Sequence, residues 1–229
     1  MWRIGHRGAC GHAPENTLAS MRKALEIGVD GFEFDIQLSK DGIPVVIHDD
    51  TLERTTNGKG KVSDFSLKDL QKLDAGNSNF LGEKIPTLQD VIDMADKRTR
   101  LFIELKADGA TEPVADMVSN AVKKLGWSYE QFFICSFNHQ QIALSRLLLP
   151  EVSTCAVLVG IPVTLAEIAV QAGAWALSSA VHHTNQALVD DARARGLKVM
   201  VWTADKPEEI AKARALKVDG IISNYPDRL

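Results

Sequence analysis

The sequence predicts a (β/α)8 TIM barrel of the α/β class, with a small hairpin-plus-helix insertion after the second strand. Three observations carry this. Apolar runs of about five residues alternate with longer amphipathic stretches along the whole chain, the pattern of buried parallel strands and covering helices. Eight such units fit into 229 residues, and a barrel of this kind typically takes about 250. Polar and charged residues then collect at the end of run after run, which is where such barrels build their sites. An open doubly wound sheet is the alternative reading of the same alternation.

Taken in order, the first strand is read over Arg3–Arg7, followed by a loose turn (Gly8, Ala9, Cys10, Gly11) and a helix that begins near Thr17. The second strand is Gly31–Asp35. The later ones are Arg100–Leu105, Phe132–Ser136, Ser153–Leu158, Trp175–Ser178, Lys198–Trp202 and Gly220–Ser223. Further helices are expected to begin near Thr87, Glu112, Asn138, Val163, Asn185 and Lys206. Thr87 and Asn138 are capping residues, and Pro207 suits the first helical position. One piece breaks the rhythm. Alternating residues on both sides of Asp41-Gly42 signal a hairpin that would return His48 close to Asp35. The polar segment after it holds a short helix around Leu67–Leu73. Residues 36–84 are therefore expected to form a small insertion at the active-site rim. No repeat, linker or low-complexity tract marks a second domain, so residues 1–229 are read as one.

Composition is that of an ordinary globular chain, 45% hydrophobic and 24% charged, long enough to bury a core without disulfides. Cys10, Cys135 and Cys155 are odd in number and widely spaced, which suggests reduced thiols in a cytoplasmic protein. The N-terminus has no long apolar run, which argues against a secretory signal. Ile168–Val189 lacks Asp, Glu, Lys and Arg, but is too polar to span a bilayer. A net charge of −4 offers no broad attraction for nucleic acid or anionic lipid. No nucleic-acid partner and no stable membrane insertion are expected, and local groups must hold any anionic substrate. The sparse aromatic residues mark no dimer face.

The strand ends carry the chemistry. His6 and Arg7 end the first, Glu33 and Asp35 lie on the second, His48 and Asp49 return with the hairpin, and Glu104 and Lys106 end the third. With a period of two, Glu33 and Asp35 share one side of their strand while Phe32 and Phe34 face the other, and Glu104 pairs in the same way with Lys106. Carboxylates converging in a barrel mouth need a compensating cation. Three oxygen donors suit Mg²⁺ or Ca²⁺. His6 and His48 can take and give protons near neutrality, and Arg7 and Lys106 add fixed positive charge for a phosphate. A cation, two positive side chains and an acid/base pair are what cleavage of a phosphodiester needs. Any one of these residues has a plainer reading. Glu104-x-Lys106 can be a buried ion pair, and Trp202 can be core or an apolar wall for substrate. His12, His139, His182 and His183 are read as surface or packing residues, and Asp64, Asp69 and Asp74 as solvated charges. The convergence at strand ends is what favours the site.

Five stretches carry a resemblance: GHRGACGHAPENT (Gly5–Thr17), FEFDIQLSKDGIPVVIHDDTLERTT (Phe32–Thr56), FIELK (Phe102–Lys106), CSFN (Cys135–Asn138) and VWTAD (Val201–Asp205). In this order, over nearly the whole chain, the sequence resembles the glycerophosphodiester phosphodiesterase family, and its short length looks like the cytoplasmic bacterial branch. The resemblance implies hydrolysis of glycerophosphodiesters, such as glycerophosphocholine or glycerophosphoethanolamine, to sn-glycerol 3-phosphate and an alcohol. It implies His6 and His48 as the acid/base pair and Glu33, Asp35 and Glu104 as ligands of a divalent metal. Arg7 and Lys106 would contact phosphate, and Phe137 and Trp202 would line the site. Attack by the glycerol 2-hydroxyl through a cyclic phosphate and direct attack by water both remain open. Two departures stand out. The family often has Asn where this chain has Asp205, and Thr-Asp where it has Ser223-Asn224. Both bear on the last strand ends and hence on leaving-group preference. A lysophospholipase D-type enzyme would want an apolar rim, for which the insertion offers Phe65, Leu67, Leu70, Leu73, Phe80 and Leu81. A non-catalytic barrel scaffold would have lost a histidine or a carboxylate, and none is missing.

Overall fold

Each apolar run pairs with the next through parallel hydrogen bonds, and the ring closes because the first strand bonds to both the second and the last. In the computed structural model, which describes residues 1–229, the first half of the chain forms β1 (Trp2–Gly5), α1 (Leu18–Ile27), β2 (Gly31–Leu38), β3 (Pro44–Val46), α2 (Leu67–Leu70), α3 (Leu88–Ala95), β4 (Arg100–Leu105) and α4 (Thr111–Leu125). The second half forms β5 (Phe132–Ser136), α5 (His139–Leu148), β6 (Ser153–Leu158), α6 (Glu167–Gln171), β7 (Ala176–Ala180), α7 (Gln186–Ala194), β8 (Lys198–Trp202), α8 (Pro207–Ala215) and β9 (Gly220–Ser223). The order β1-β9-β8-β7-β6-β5-β4-β2, closed by β1 on β2, is a parallel barrel ringed by helices, as the alternation predicts. Strand β3 lies outside the ring. It pairs antiparallel with the end of β2, Ile36 opposite Val46 and Leu38 opposite Pro44.

Helix starts are set locally. Thr17, Asn138 and Asn185 each accept a first-turn amide, and Thr87 and Asp90 cap reciprocally. Because each helix follows a strand, these capped ends lie on the face where the strands finish, and they shape its loops. The departures from the expected boundaries have physical causes. β1 stops at Gly5, so His6 and Arg7 sit in the turn beyond it. β2 runs on to Leu38 because its second half bonds to β4 on one edge and to the hairpin on the other. Helix α6 begins at Glu167 rather than near Val163, since Gly160 (φ 105) and Leu165 (φ 52) hold the intervening chain out of helical geometry.

The barrel has an inner and an outer apolar layer. Phe32 and Phe34 point outward, into a large cluster between the strands and helices α1, α3 and α4. Ile4, Phe102, Phe133, Cys155, Ala176, Met200 and Ile222 fill the interior. Phe102 stacks on Phe133 at 4.5 Å, and Trp2 on Trp175 at 5.8 Å, which closes the end away from the site. Gly31 is required here, because a Cβ would come within 2.7 Å of the Phe102 ring. The insertion builds its own small core from Val45, Ile47, Leu52, Val62, Leu70 and Ile85, with Phe65, Leu67 and Leu73 against it. Its apolar residues are therefore turned inward and do not form the rim expected for a lipid substrate. Leu81, 80% exposed, and Phe80, half-buried and outside that core, are the exceptions.

Phe34 has no contact with solvent and packs wholly within the outer layer. Phe34→Ala is expected to lower unfolding stability in urea by about 3–5 kcal/mol. A loss under about 1 kcal/mol would mean that the outer layer is not close-packed there.

Candidate active site

Alternation along the strands aims one row of side chains from each strand into the barrel, and the upper members of these rows meet in a cavity of about 260 Å³. Above Ile4 comes His6. Above Gly31 come Glu33 and Asp35, and above Phe102 come Glu104 and Lys106. Above Phe133 come Cys135 and Phe137, and Val157, Ser178, Trp202 and Ile222 complete the wall. Arg7 enters from the turn after β1, and His48 from the end of the hairpin, where the Ile47 amide donates to the Asp35 carbonyl at 3.1 Å. All nine residues singled out from the sequence line this one cavity: His6, Arg7, Glu33, Asp35, His48, Glu104, Lys106, Phe137 and Trp202. Its two halves differ. Charged groups come from β1, β2, β4 and the hairpin. The opposite wall is apolar, with Phe137 edge-on to Trp202 at 5.6 Å.

Glu33, Asp35 and Glu104 each bring an oxygen to within 4.8 Å of the others, a group able to hold a divalent metal ion. Burial, then the charges of Asp35 and Glu104, push the Glu33 carboxyl well above the usual carboxylate range. Burial and Asp35 raise Glu104 in the same direction. Cations answer part of this charge. Lys106 Nζ lies 2.8 Å from Glu104 Oε1 and 3.7 Å from Asp35 Oδ1, and Arg7 Nε lies 3.4 Å from Asp35 Oδ2. Even so, Glu33 Oε1 is buried without any hydrogen-bond partner, and so is the Arg7 Nε donor. A buried carboxyl oxygen left without a partner beside two other acids fits a bound cation. His6 Nε2 is 3.9 Å from Glu33 Oε2. Burial, together with the charge of Arg7, lowers the His6 pKa.

The profile of the glycerophosphoryl diester phosphodiesterase family matches residues 6–228. The chain belongs to that family. It is 36% identical to the glycerophosphodiester phosphodiesterase of Caldanaerobacter subterraneus subsp. tengcongensis over 231 residues, 99% of this chain and 95% of that one. It is 31% identical to a glycerophosphodiester phosphodiesterase of Bacillus subtilis (strain 168), covering 98% of this chain and 83% of the other. Among solved structures, an Oleispira antarctica phosphodiesterase in complex with its product sn-glycerol 3-phosphate superposes with a TM-score of 0.89. The two are 33% identical, over 98% of this chain and 93% of that one.

In this member of the family the site residues are held by Asp49, which returns with the hairpin, and by others to which the sequence assigned no role. His48 Nδ1 donates to Asp49 Oδ1 at 2.6 Å, which leaves Nε2 for the cavity. Arg54 grips Asp49 at 2.6 and 3.0 Å and Glu15 at 2.7 and 2.9 Å. Its hydrogen bonds hold Asp49 well below the ordinary carboxylate range. Glu15 in turn accepts from Arg7 at 2.6 Å. A continuous chain of ion pairs thus ties the insertion to the turn after β1. Asn16 brackets Asp35, donating to its carboxylate at 2.8 Å and accepting from its amide at 3.2 Å. Arg7 adopts φ 48, an uncommon conformation for a side-chain-bearing residue. It is kept there by its amide bond to Glu33 Oε2 (3.0 Å) and by Asn16 N and Ser20 Oγ donating to its carbonyl. The signals available in the sequence were the acid next to His48 and the polar Glu15-Asn16-Thr17 at a helix start. Nothing local announces that Arg54 reaches Glu15, 39 residues away.

The raised Glu33 pKa has a definite sign in stability. The folded, metal-free protein keeps a proton that the unfolded chain releases, so stability falls as pH rises from the ordinary carboxylate range through the raised value. Metal-stripped Glu33→Gln is therefore expected to melt above the stripped parent at pH 8, with the gap closing toward pH 4. Divalent metal should raise the Tm of the parent and leave that of the variant unchanged. A variant that melts lower at pH 8 would mean that Glu33 carries no buried-charge penalty.

Proposed function

We propose that the chain hydrolyses glycerophosphodiesters, glycerophosphocholine and glycerophosphoethanolamine among them, to sn-glycerol 3-phosphate and an alcohol. One divalent cation, Mg²⁺ or Ca²⁺, would be held by Glu33, Asp35 and Glu104. The observation that carries the reading is one cavity in which a carboxylate trio faces His6, His48, Arg7 and Lys106. When bound, the cation supplies positive charge against the phosphoryl oxygens. Arg7 and Lys106, which line the same cavity, hold the same phosphate from the side. His6 and His48 serve as the acid/base pair. One takes the proton of the attacking hydroxyl, and the other gives a proton to the departing alkoxide. Phe137 and Trp202 form the wall against the non-reacting part of the substrate. Trp202 is fixed by its Nε1 donating to the Ser178 carbonyl at 3.2 Å.

The same reading takes residues 1–229 as one barrel domain with residues 36–84 as its rim, supported by the ion pairs that join the insertion to the turn after β1. It takes the enzyme as cytoplasmic, supported by three free cysteines. No helix is long and apolar enough to cross a membrane. A second reading, hydrolysis of diesters that bear an acyl chain, is favoured by the loop after β6. There Val159 and Ile161 are 56% and 46% exposed and Val163 is fully exposed, just beyond Val157 of the cavity wall.

Metal-stripped protein given glycerophosphocholine is expected to release glycerol 3-phosphate only after Mg²⁺ or Ca²⁺ is added. His6→Ala and His48→Ala should each lower kcat on the order of 10²–10⁴-fold. Lys106→Ala should raise KM. Turnover without metal, or a His6→Ala protein as active as the parent, would overturn the reading. Preference for lysophosphatidylcholine in the same assay would select the acylated substrate.

A further inference from the structure

The end of the barrel formed by β8, β9 and β1 holds a hydrogen-bonded chain that the proposed chemistry does not yet use. Asp205, in the loop after β8, accepts three hydrogen bonds. Its Oδ1 takes the Asn224 amide and the Ser223 hydroxyl, each at 2.8 Å, and its Oδ2 takes Asn224 Nδ2 at 2.6 Å. Asn224, just past β9, presents Oδ1 to His6 Nδ1 at 2.6 Å and to Cys10 Sγ at 2.8 Å. The backbone braces the same three loops, with His6 N on the Ser223 carbonyl at 2.8 Å and Gly11 N on the Asn224 carbonyl at 2.9 Å. Asp205 and Asn224 touch each other, Asn224 alone reaches His6, and neither lines the cavity. Their hydrogen bonds lead to the histidine.

We propose that Asp205 and Asn224 are positioning residues, and that Asp205 decides which nitrogen of His6 carries the proton although it does not touch that ring. The inference rests on reading His6 as an acid/base group. A carboxamide has two nearly isosteric ends, and only its partners decide which way it points. An ionised carboxylate can only accept, so Asp205 compels Asn224 to turn its NH₂ toward it. The carbonyl end is then the one that faces His6. An acceptor there demands a hydrogen on Nδ1, which leaves the Nε2 lone pair on the side of Glu33, 3.9 Å from its Oε2. Cys10 agrees with this assignment. Burial pushes its thiol up to about 12, so it stays S–H and needs the same acceptor. Without a charged acceptor at 205, the carboxamide could turn over and present NH₂ to Nδ1. The ring would then carry its proton on Nε2, and the base would face away from the cavity.

The test combines imidazole ¹⁵N spectra of [¹⁵N]histidine-labelled full-length protein, recorded at pH 8, with steady-state kinetics on glycerophosphocholine. The His6 signals are identified by their loss in His6→Ala. The parent should show the Nδ1–H form. Asp205→Asn should show a mixture of both forms and a kcat lower on the order of 10–100-fold, with KM unchanged. The exchange variant, Asp205→Asn with Asn224→Asp, again sets a carboxylate against a carboxamide, now with the carboxylate on Nδ1–H. It should return the single Nδ1–H form and most of kcat. A parent protonated at Nε2 would overturn the proposal, as would an Asp205→Asn protein that keeps both the pure Nδ1–H form and the parental kcat. Should Asp205→Asn fail to fold, the exchange variant decides: folded protein with the Nε2–H form rules the relay out. If the parent turns over no diester at all, the reading of function fails, while the spectra still settle the relay.

Discussion

Three carboxylates pressed together in a low-dielectric barrel mouth are the constraint around which this structure is arranged. Glu33, Asp35 and Glu104 repel one another, and two are held above their ordinary pKa by burial and by that repulsion. The groups nearby answer this charge. Lys106 lies against Asp35 and Glu104 and Arg7 against Asp35, Asn16 donates to Asp35, and the Arg7 amide donates to Glu33. The compensation is incomplete by one buried oxygen of Glu33. A site that leaves a buried carboxyl oxygen without a partner is suited to take a divalent cation and, with it, an anionic ester.

That cluster exists because the barrel is closed. In an open sheet, Glu33 on β2 and His6 after β1 would still be neighbours, but Trp202 after β8 would stand far across the sheet. Closure of β1 on both β2 and β9 brings all the strand ends round one cavity. It also divides labour around the rim, with the charged strand ends on one side and the apolar ones on the other. The two histidines are held in contrasting ways. The Nδ1 of His48 meets a carboxylate and that of His6 a carboxamide, and both leave Nε2 toward the substrate.

Beyond the cavity lies a layer of polar residues whose role is orientation. Arg54, Glu15 and Asp49 lock the insertion to the turn after β1, so the hairpin that delivers His48 cannot shift without disturbing Arg7. On the other flank Asp205 and Asn224 hold the His6 ring. Hydrogen bonds to charged groups are the stronger ones, and a rim made of loops relies on them where strands and helices do not supply the stiffness.

The eight-fold alternation, the hairpin at Asp41-Gly42, the helix caps at Thr17, Thr87 and Asn138, and the nine cavity residues were all legible in the sequence. Most depend on a period of two, a capping side chain or a turn, which are local rules that act over a few residues, whereas Phe137 and Trp202 were placed in the site by the family resemblance. The start of α6 was misjudged because positive φ at Gly160 and Leu165 is not written in hydrophobic pattern. The inward packing of the insertion's apolar residues is not written in the sequence, because a cluster of Val, Leu and Phe looks the same whether it packs on itself or faces outward. Tertiary structure alone decided the contacts between distant segments: Arg54 with Glu15, Asp205 with Asn224, Asn224 with His6 across 218 residues. Polar partners are chosen by where closure of the barrel brings their loops, and a sequence without its fold carries no record of that distance.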